Sequence, residues 1–452
     1  MAAAGSCYVI VGAGIFGVST AYHLIRRYPE ASVTLVDRDA FDADNRVAAS
    51  WDWNKVMRAD YDDPVYCELA LEAQDVFTSD PLWKPFFHQT GLYWMCGRDY
   101  ARGCVSNFER LGRHGDISVW PVEEARKLFG GLFDESDYTN VEQVLVNRAS
   151  GWVAAGDCLQ AVTRRVLGLG VKYVAEEVAN LQFDPSGRCA GIETAQGRRL
   201  PASHVVLCTG ASTPKLLEIS AAASGLTNLQ AGSRILAGGI TTGMTRLDDD
   251  SYAKFADMPV GIQGYTTLKG NSACVPSQFL RVPPFMGSLP PTKDRELKWW
   301  GQKIFRNTKE VLPGRFISMP PAEADYAQWK ISERLKEDIV NVSSVFYGNQ
   351  AAKWKFEKHR ICWDAFTTSS DFIISPHTAS KGLYVATCGS FHGYKFFPVI
   401  GRYVVDMLED TLPARLASKW AWDRERPDPS ANPDWPSCEM KDLLDPVRDS
   451  RL

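Results

Sequence analysis

Residues 7–37 read CYVIVGAGIFGVSTAYHLIRRYPEASVTLVD, and the reading of this stretch decides the fold. CYVIV, 7–11, is a short continuous apolar run with β-branched residues, which predicts a buried parallel strand. Gly12-Ala13-Gly14-Ile15-Phe16-Gly17 follows at once, and STAYHLIRRY after it has helical periodicity. ASVTLVD then predicts a second strand ending in Asp37. Strand, glycine turn, helix, strand and terminal acid make up the βαβ context of a dinucleotide-binding fingerprint. In that reading Gly12 permits the tight turn and Gly14 lets the backbone approach a pyrophosphate. Gly17 lets the helix pack on the sheet, and Asp37 is placed to accept from a ribose hydroxyl. A bare βα turn without a ligand is the competing reading.

The fingerprint does not separate NAD from FAD, because both carry the adenosine half. Two later segments repeat the strand-and-glycine pattern: HVVLCTGAS at 204–212 and LYVATCGSFHGYKFFPVIG at 383–401. One sheet revisited by distant segments suits a long extended cofactor better than a compact NAD half-site. A nicotinamide-dependent dehydrogenase remains the rival on the glycines alone.

The bulk numbers narrow the class. At 452 residues with 45% hydrophobic and 23% charged side chains, the chain is globular and large enough for two or three domains. A formal net charge of −4 gives no support to a nucleic-acid or anionic-membrane partner. Eleven scattered cysteines with no CxxC and no Cys/His cluster argue against a metal site and against a disulfide scaffold. The first apolar run lacks a basic leader and is broken by glycines, so no signal peptide is expected, and no uninterrupted apolar run has membrane-spanning length. Ser450-Arg451-Leu452 is a conservative variant of the Ser-Lys-Leu peroxisomal address.

Four stretches together resemble one family: VIVGAGIFGVSTAYHL at the start, ASWDWNKVMRADYDDPVY at 49–66, RICWD at 360–364 and GSFHGYKFFPVIG at 389–401. They are similar to the sarcosine oxidase and D-amino-acid oxidase superfamily of flavoproteins, nearest the fungal fructosyl amino acid oxidase and saccharopine oxidase branch. The tail KWAWDRE, 419–425, is also similar to that branch, whereas 218–355 matches poorly, with extra sequence around RELKWWGQKIFRNTKEVL. The motifs are specific for the family, and none fixes a substrate.

The resemblance implies FAD, carried as an 8α-S-cysteinyl adduct on Cys362. A thiolate is the attacking species, and cations raise its fraction; His359 and Arg360 stand three and two residues before this thiol. The alternative is a buried spectator cysteine. The resemblance further makes Arg58 and Lys395 a carboxylate clamp, with the planar guanidinium matching the carboxylate and the ammonium adding a point charge. Lys55, three residues before Arg58 and on its face if the segment is helical, is expected at the flavin ring. His392 is a candidate donor to flavin or substrate. Ile15, Phe16, Arg38, Ser50, Val178, Gly210, Phe391 and Gly393 complete the expected FAD contacts. Asp364 and Asp371 read as structural carboxylates. These oxidases generally place a lysine over the flavin to assist oxygen. In GIQGYTTLKGNSACVPSQF, 261–279, one register puts Lys269 there and another puts Cys274.

The expected architecture is α/β: a Rossmann-like FAD domain of the glutathione-reductase type with an interleaved antiparallel-sheet substrate domain. Residues 1–88, 150–215 and 356–412 are assigned to the first, 89–149 and 216–355 to the second, and 413–452 to a wrapping extension. The expected activity is oxidation of a secondary amine bearing a carboxylate. Hydride passes from the carbon next to nitrogen to flavin N5, giving an imine and, with molecular oxygen, hydrogen peroxide. A monomer is expected. Alternatives are a dehydrogenase or oxidative cyclase with poor oxygen reactivity, and a flavin-binding protein without turnover. Trp51 and Trp53 crowd the 49–66 motif; ordinary packing is the first reading of such tryptophans, and an aromatic substrate is the alternative they raise.

Overall fold

The computed structural model describes residues 6–44, 46–264, 285–322, 328–329, 331–432, 435–436 and 438–444. The apolar run at the start forms the strand Cys7–Val11, central in a six-stranded sheet. The sheet runs in the order Ile373–Pro376, Leu383–Thr387, His204–Leu207, Cys7–Val11, Ser32–Asp37, Lys172–Ala175. All neighbours pair in parallel except Ile373–Pro376, which turns back antiparallel at the edge. Both later strand-and-glycine segments therefore join this sheet, His204–Leu207 beside the fingerprint strand and Leu383–Thr387 one strand further out. The chain also returns to this sheet through Lys172–Ala175, after two strands of other sheets, Gln143–Asn147 and Gly151–Val153.

Two glycines let the first helix, Ile15–Arg27, lie close to the sheet. A Cβ on Gly12, whose φ is +103°, would overlap the Cys208 carbonyl, and one on Gly17 would overlap the Gly12 carbonyl. The helix is buried along most of its length against Phe397–Leu408. A Cβ on Gly401 would overlap the Ser19 backbone, and the Gly401 N–H donates to Ser19 Oγ at 2.8 Å.

Among the described residues the second large sheet has nine strands and is mixed, with mostly antiparallel neighbours. The stretch read from sequence as extra is the strand Glu296–Arg306 in its middle, paired with Leu236–Arg246 on one side and Met286–Leu289 on the other. Phe356–Phe366, grouped from sequence with the dinucleotide sheet, instead pairs with Leu236–Arg246 in this second sheet. Strand alternation then turns Arg360, Cys362 and Asp364 to one face and Ile361 and Trp363 to the other, where they pack with Phe305 and Leu335. The tail is tied down by buried Trp420 and Trp422. No described helix is long and apolar enough to cross a membrane.

Candidate active site

One cavity of about 1220 Å³ joins the two sheets, larger than a typical single small-molecule pocket. Its walls include Gly12, Gly14, Ile15, Phe16, Asp37, Arg38, Ser50, Lys55, Arg58, Val178, Gly210, Cys362, Phe391, His392, Gly393 and Lys395. Thus the described residues expected to hold cofactor or substrate meet in one space, apart from Gly17, which acts behind the turn.

The fingerprint end fits the adenosine and pyrophosphate of FAD. Asp37 Oδ2 accepts from the Ala13 N–H at 2.6 Å, and its pair with Arg46 spans 3.1 Å. Arg46 is fully buried and donates to the Ala13 carbonyl at 3.1 Å, yet its Nε and Nη1 have no partner among the described residues. Unused buried donors beside a helix N-terminus that carries no acidic residue in its first turn suit an anionic group. Ser50 Oγ accepts from Ile15 N–H at 2.9 Å, fixing the motif at 49–66 against the turn.

Cys362 is 2% exposed, on the cavity face of its strand. The cation at its sulfur is Lys55, whose Nζ is 3.6 Å from Sγ. His359, expected to assist, faces elsewhere; burial and then Lys336 lower its pKa to about 4, so it is neutral near pH 7. Lys55 is not helical either: Lys55–Met57 is a short strand paired with Gly151–Val153.

Around Asp52 stands a cluster that the sequence reading missed. Its carboxylate lies 2.8 Å from Lys55 Nζ, 2.5 Å from Lys298 Nζ and 3.7 Å from Arg360 Nη1. Burial by itself would raise the Asp52 pKa, but Lys298, Lys55 and Arg360 hold it well below the usual range. One carboxylate shared among three cations leaves excess positive charge beside Cys362. Burial, opposed by Asp52 but reinforced by Lys55 and Arg360, lowers Lys298 to about 8. Lys298 lines the cavity and is 2% exposed. Lys269 and Cys274, the two residues weighed for the lysine over the flavin, lie outside the described residues. A lysine inside the apolar run LKWW was the available signal, since a charge in a buried strand requires a partner.

Arg58 and Lys395 are 7% and 4% exposed, and neither forms an ion pair with a carboxylate among the described residues. Arg58 is held between the rings of Tyr61 and Trp94, its guanidinium carbon 4.5 Å from each centroid, and it donates to the Asp60 carbonyl. The Asp60 carboxylate is already engaged by Asn147 at 2.7 Å and Ser150 at 3.1 Å. Lys395 Nζ donates to the His392 carbonyl at 3.0 Å. Burial, then Arg58 and Lys55, press its pKa well below the ordinary lysine value.

The loop before Lys395 is strained. Ser390 and Phe391 have φ of 45° and 60°, a region that side chains with a Cβ rarely adopt. Asp364 holds it: Oδ2 accepts from Phe391 N–H at 2.9 Å, and a Cβ on Gly389 would lie 2.9 Å from the same oxygen. His392 Nε2 donates to the Ser370 carbonyl at 2.8 Å, because a carbonyl only accepts. Its Nδ1 then accepts from Tyr61 OH at 3.1 Å. Burial, with Lys395 next, drops the imidazole to about 3, so it is neutral. The ring is fully engaged, which leaves it the role of fixing Tyr61. Trp51 and Trp53 do not line the cavity; they pack edge-on with each other and with Trp329 at 5.8 to 6.0 Å between ring centroids.

Residues 8–407 match the family described as FAD dependent oxidoreductase, and the chain belongs to that family. Among curated proteins it is 23% identical to L-saccharopine oxidase of Schizosaccharomyces pombe, covering 92% of each chain. It is also 23% identical to an amino acid oxidase of Aspergillus flavus, covering 88% of this chain and 92% of that one. A fructosyl peptide oxidase structure from E. terrenum superposes with a TM-score of 0.81 at 22% identity, covering 99% of both chains. The last similarity establishes the fold.

Proposed function

We propose that the protein is an FAD-dependent oxidase of secondary amines that carry a carboxylate, with Cys362 bonded to the flavin. The observation that carries this reading is the pair Arg58 and Lys395: a buried guanidinium and a buried amine, unpaired by any described carboxylate, in the cavity that also holds Cys362. Burying such charges without a counter-ion is costly, so a ligand carboxylate is the natural partner. When bound, FAD accepts a hydride from the carbon next to nitrogen, and molecular oxygen takes the electrons up as hydrogen peroxide. The chain's own groups do the rest. Arg58 and Lys395 hold the carboxylate; Tyr61, fixed by His392, braces the guanidinium through its ring face. Asp364 holds the strained loop at Phe391 against the cofactor space. Lys298 supplies the buried cation expected of these oxidases beside the flavin, the role first sought at Lys269. No side chain needs to act as general base, since the amine only has to be unprotonated when its α-carbon reacts.

A peroxide-forming reaction suits the peroxisomal address in Ser450-Arg451-Leu452, which lies outside the described residues. We take the protein to act there as a monomer.

The test is flavin bleaching in the absence of air on adding N-substituted amino acids, followed by peroxide release when air is admitted. No bleaching with any such amine refutes the oxidase reading. Bleached protein that fails to re-yellow in air makes it a dehydrogenase. Acid precipitation separates the cofactor question: flavin mass on the Cys362 peptide supports the covalent bond, and yellow supernatant rules it out.

A further inference from the structure

The wall next to the carboxylate clamp is aromatic and apolar. Trp94, whose ring lies under Arg58, is followed by Phe285 at 5.8 Å and then Trp300 at 5.6 Å between ring centroids. All three line the cavity, with Ile262, Leu289 and Ile304 beside them. Trp94 is anchored, its indole N–H donating to the Gly264 carbonyl at 2.5 Å. The position of Trp300 is built into the neighbouring strand. Its register partner is Gly287, and a Cβ there would overlap the indole, so the ring lies flat across a strand that has no side chain at that point. The Trp300 indole N–H is buried and has no acceptor among the described residues. A polyol chain or a second carboxylate placed along this row would meet mostly ring faces and aliphatic carbons, with the Trp300 indole N–H the one donor these three rings leave open to it.

We infer that the substrate presents an aromatic ring to Trp94, Phe285 and Trp300 while Arg58 and Lys395 hold its carboxylate. This rests on the amine-oxidase reading above and narrows its substrate class. It also relocates the aromatic expectation raised by Trp51 and Trp53, which lie off the cavity. Offset stacking and edge contacts with three rings favour an aryl group over an alkyl group of equal length.

The test needs no knowledge of the true substrate. Holoprotein is titrated with phenylacetate and with acetate, and the flavin absorbance change is followed. Burial of one ring predicts phenylacetate binding at least ~10-fold tighter. Trp300→Ala brings that ratio toward one, and Gly287→Ala, which displaces the indole without removing it, does so in part. Equal binding of the two acids overturns the aromatic wall while leaving the clamp standing. No spectral change with either acid, in protein shown to hold flavin, overturns the clamp and this inference with it. In turnover, N-methyl-phenylalanine should exceed N-methyl-alanine by a similar factor in kcat/KM. A preference for the ring-free amine refutes the inference without touching the oxidase reading.

Discussion

Arg58 and Lys395 were singled out in the sequence because each sits inside a recognisable motif, and the tertiary structure adds that both are buried without a carboxylate partner among the described residues. Arg58→Ala is expected to weaken carboxylate ligands about 10- to 100-fold, the scale of a lost charge-assisted pair, with flavin content unchanged. Lys395 adds a pH dependence. Its folded pKa is depressed by burial, Arg58 and Lys55, so it holds its proton weakly when the site is free. A bound carboxylate favours the protonated form, so binding takes up a proton and affinity falls as pH rises. Calorimetric titration in buffers of different ionisation heat reads that uptake directly. Lys298 and Asp52 were missed because their partnership joins residues 246 positions apart. With Lys298 lowered to about 8, its positive charge is present below that pH and lost above it. The reaction of reduced protein with oxygen should therefore slow as pH rises through about 8. Lys298→Met should slow it about 10²- to 10³-fold at pH 7, as removal of a preorganised charge does elsewhere, and flatten the profile. Stopped-flow re-oxidation measures both.

At the scale of elements, apolar runs and glycine turns identified the parallel sheet strand by strand, since buried parallel strands are continuous hydrophobic segments. That rule does not say which sheet takes Phe356–Phe366, which the sequence grouped with the FAD-binding segments. Its apolar character is that of any buried strand, and only pairing with Leu236–Arg246 shows which sheet it joins. Its consequence is functional: Cys362 and Asp364 share one face, so a single strand carries both the thiol and the clamp on the strained loop at Phe391. Lys55 would share a face with Arg58 only in a helical segment, and cross-strand pairing with Val153 makes the segment a strand. The packing of Ile15–Arg27 on Phe397–Leu408 depends on Gly401. Gly401→Ala sets a methyl group against the Ser19 backbone and should cost about 1 to 3 kcal/mol, the usual penalty of overpacking. Thermal melting of the variant against the parent protein checks this, with a lower Tm expected.

At the scale of the whole molecule, the cavity lies where two sheets meet, so a cofactor bound there ties both together. Removing FAD from a Cys362→Ala variant, in which the cofactor is held without a covalent bond, should lower the melting temperature. Adding FAD back at a hundredfold excess over its Kd should restore about 2.7 kcal/mol. An unchanged Tm would mean that the cofactor space contributes nothing to cohesion between the sheets. By itself the sequence determined the parallel sheet, the dinucleotide turn and the family motifs, because hydrophobic periodicity and glycine spacing are local properties written over a few dozen residues. Only the tertiary structure decided that Lys298 serves Asp52, that Lys55 rather than His359 faces Cys362, and that the aromatic wall is Trp94, Phe285 and Trp300. Each of these depends on strand register and on burial between distant segments, and the free energy of a buried charge or ring is set by the neighbours that folding brings to it.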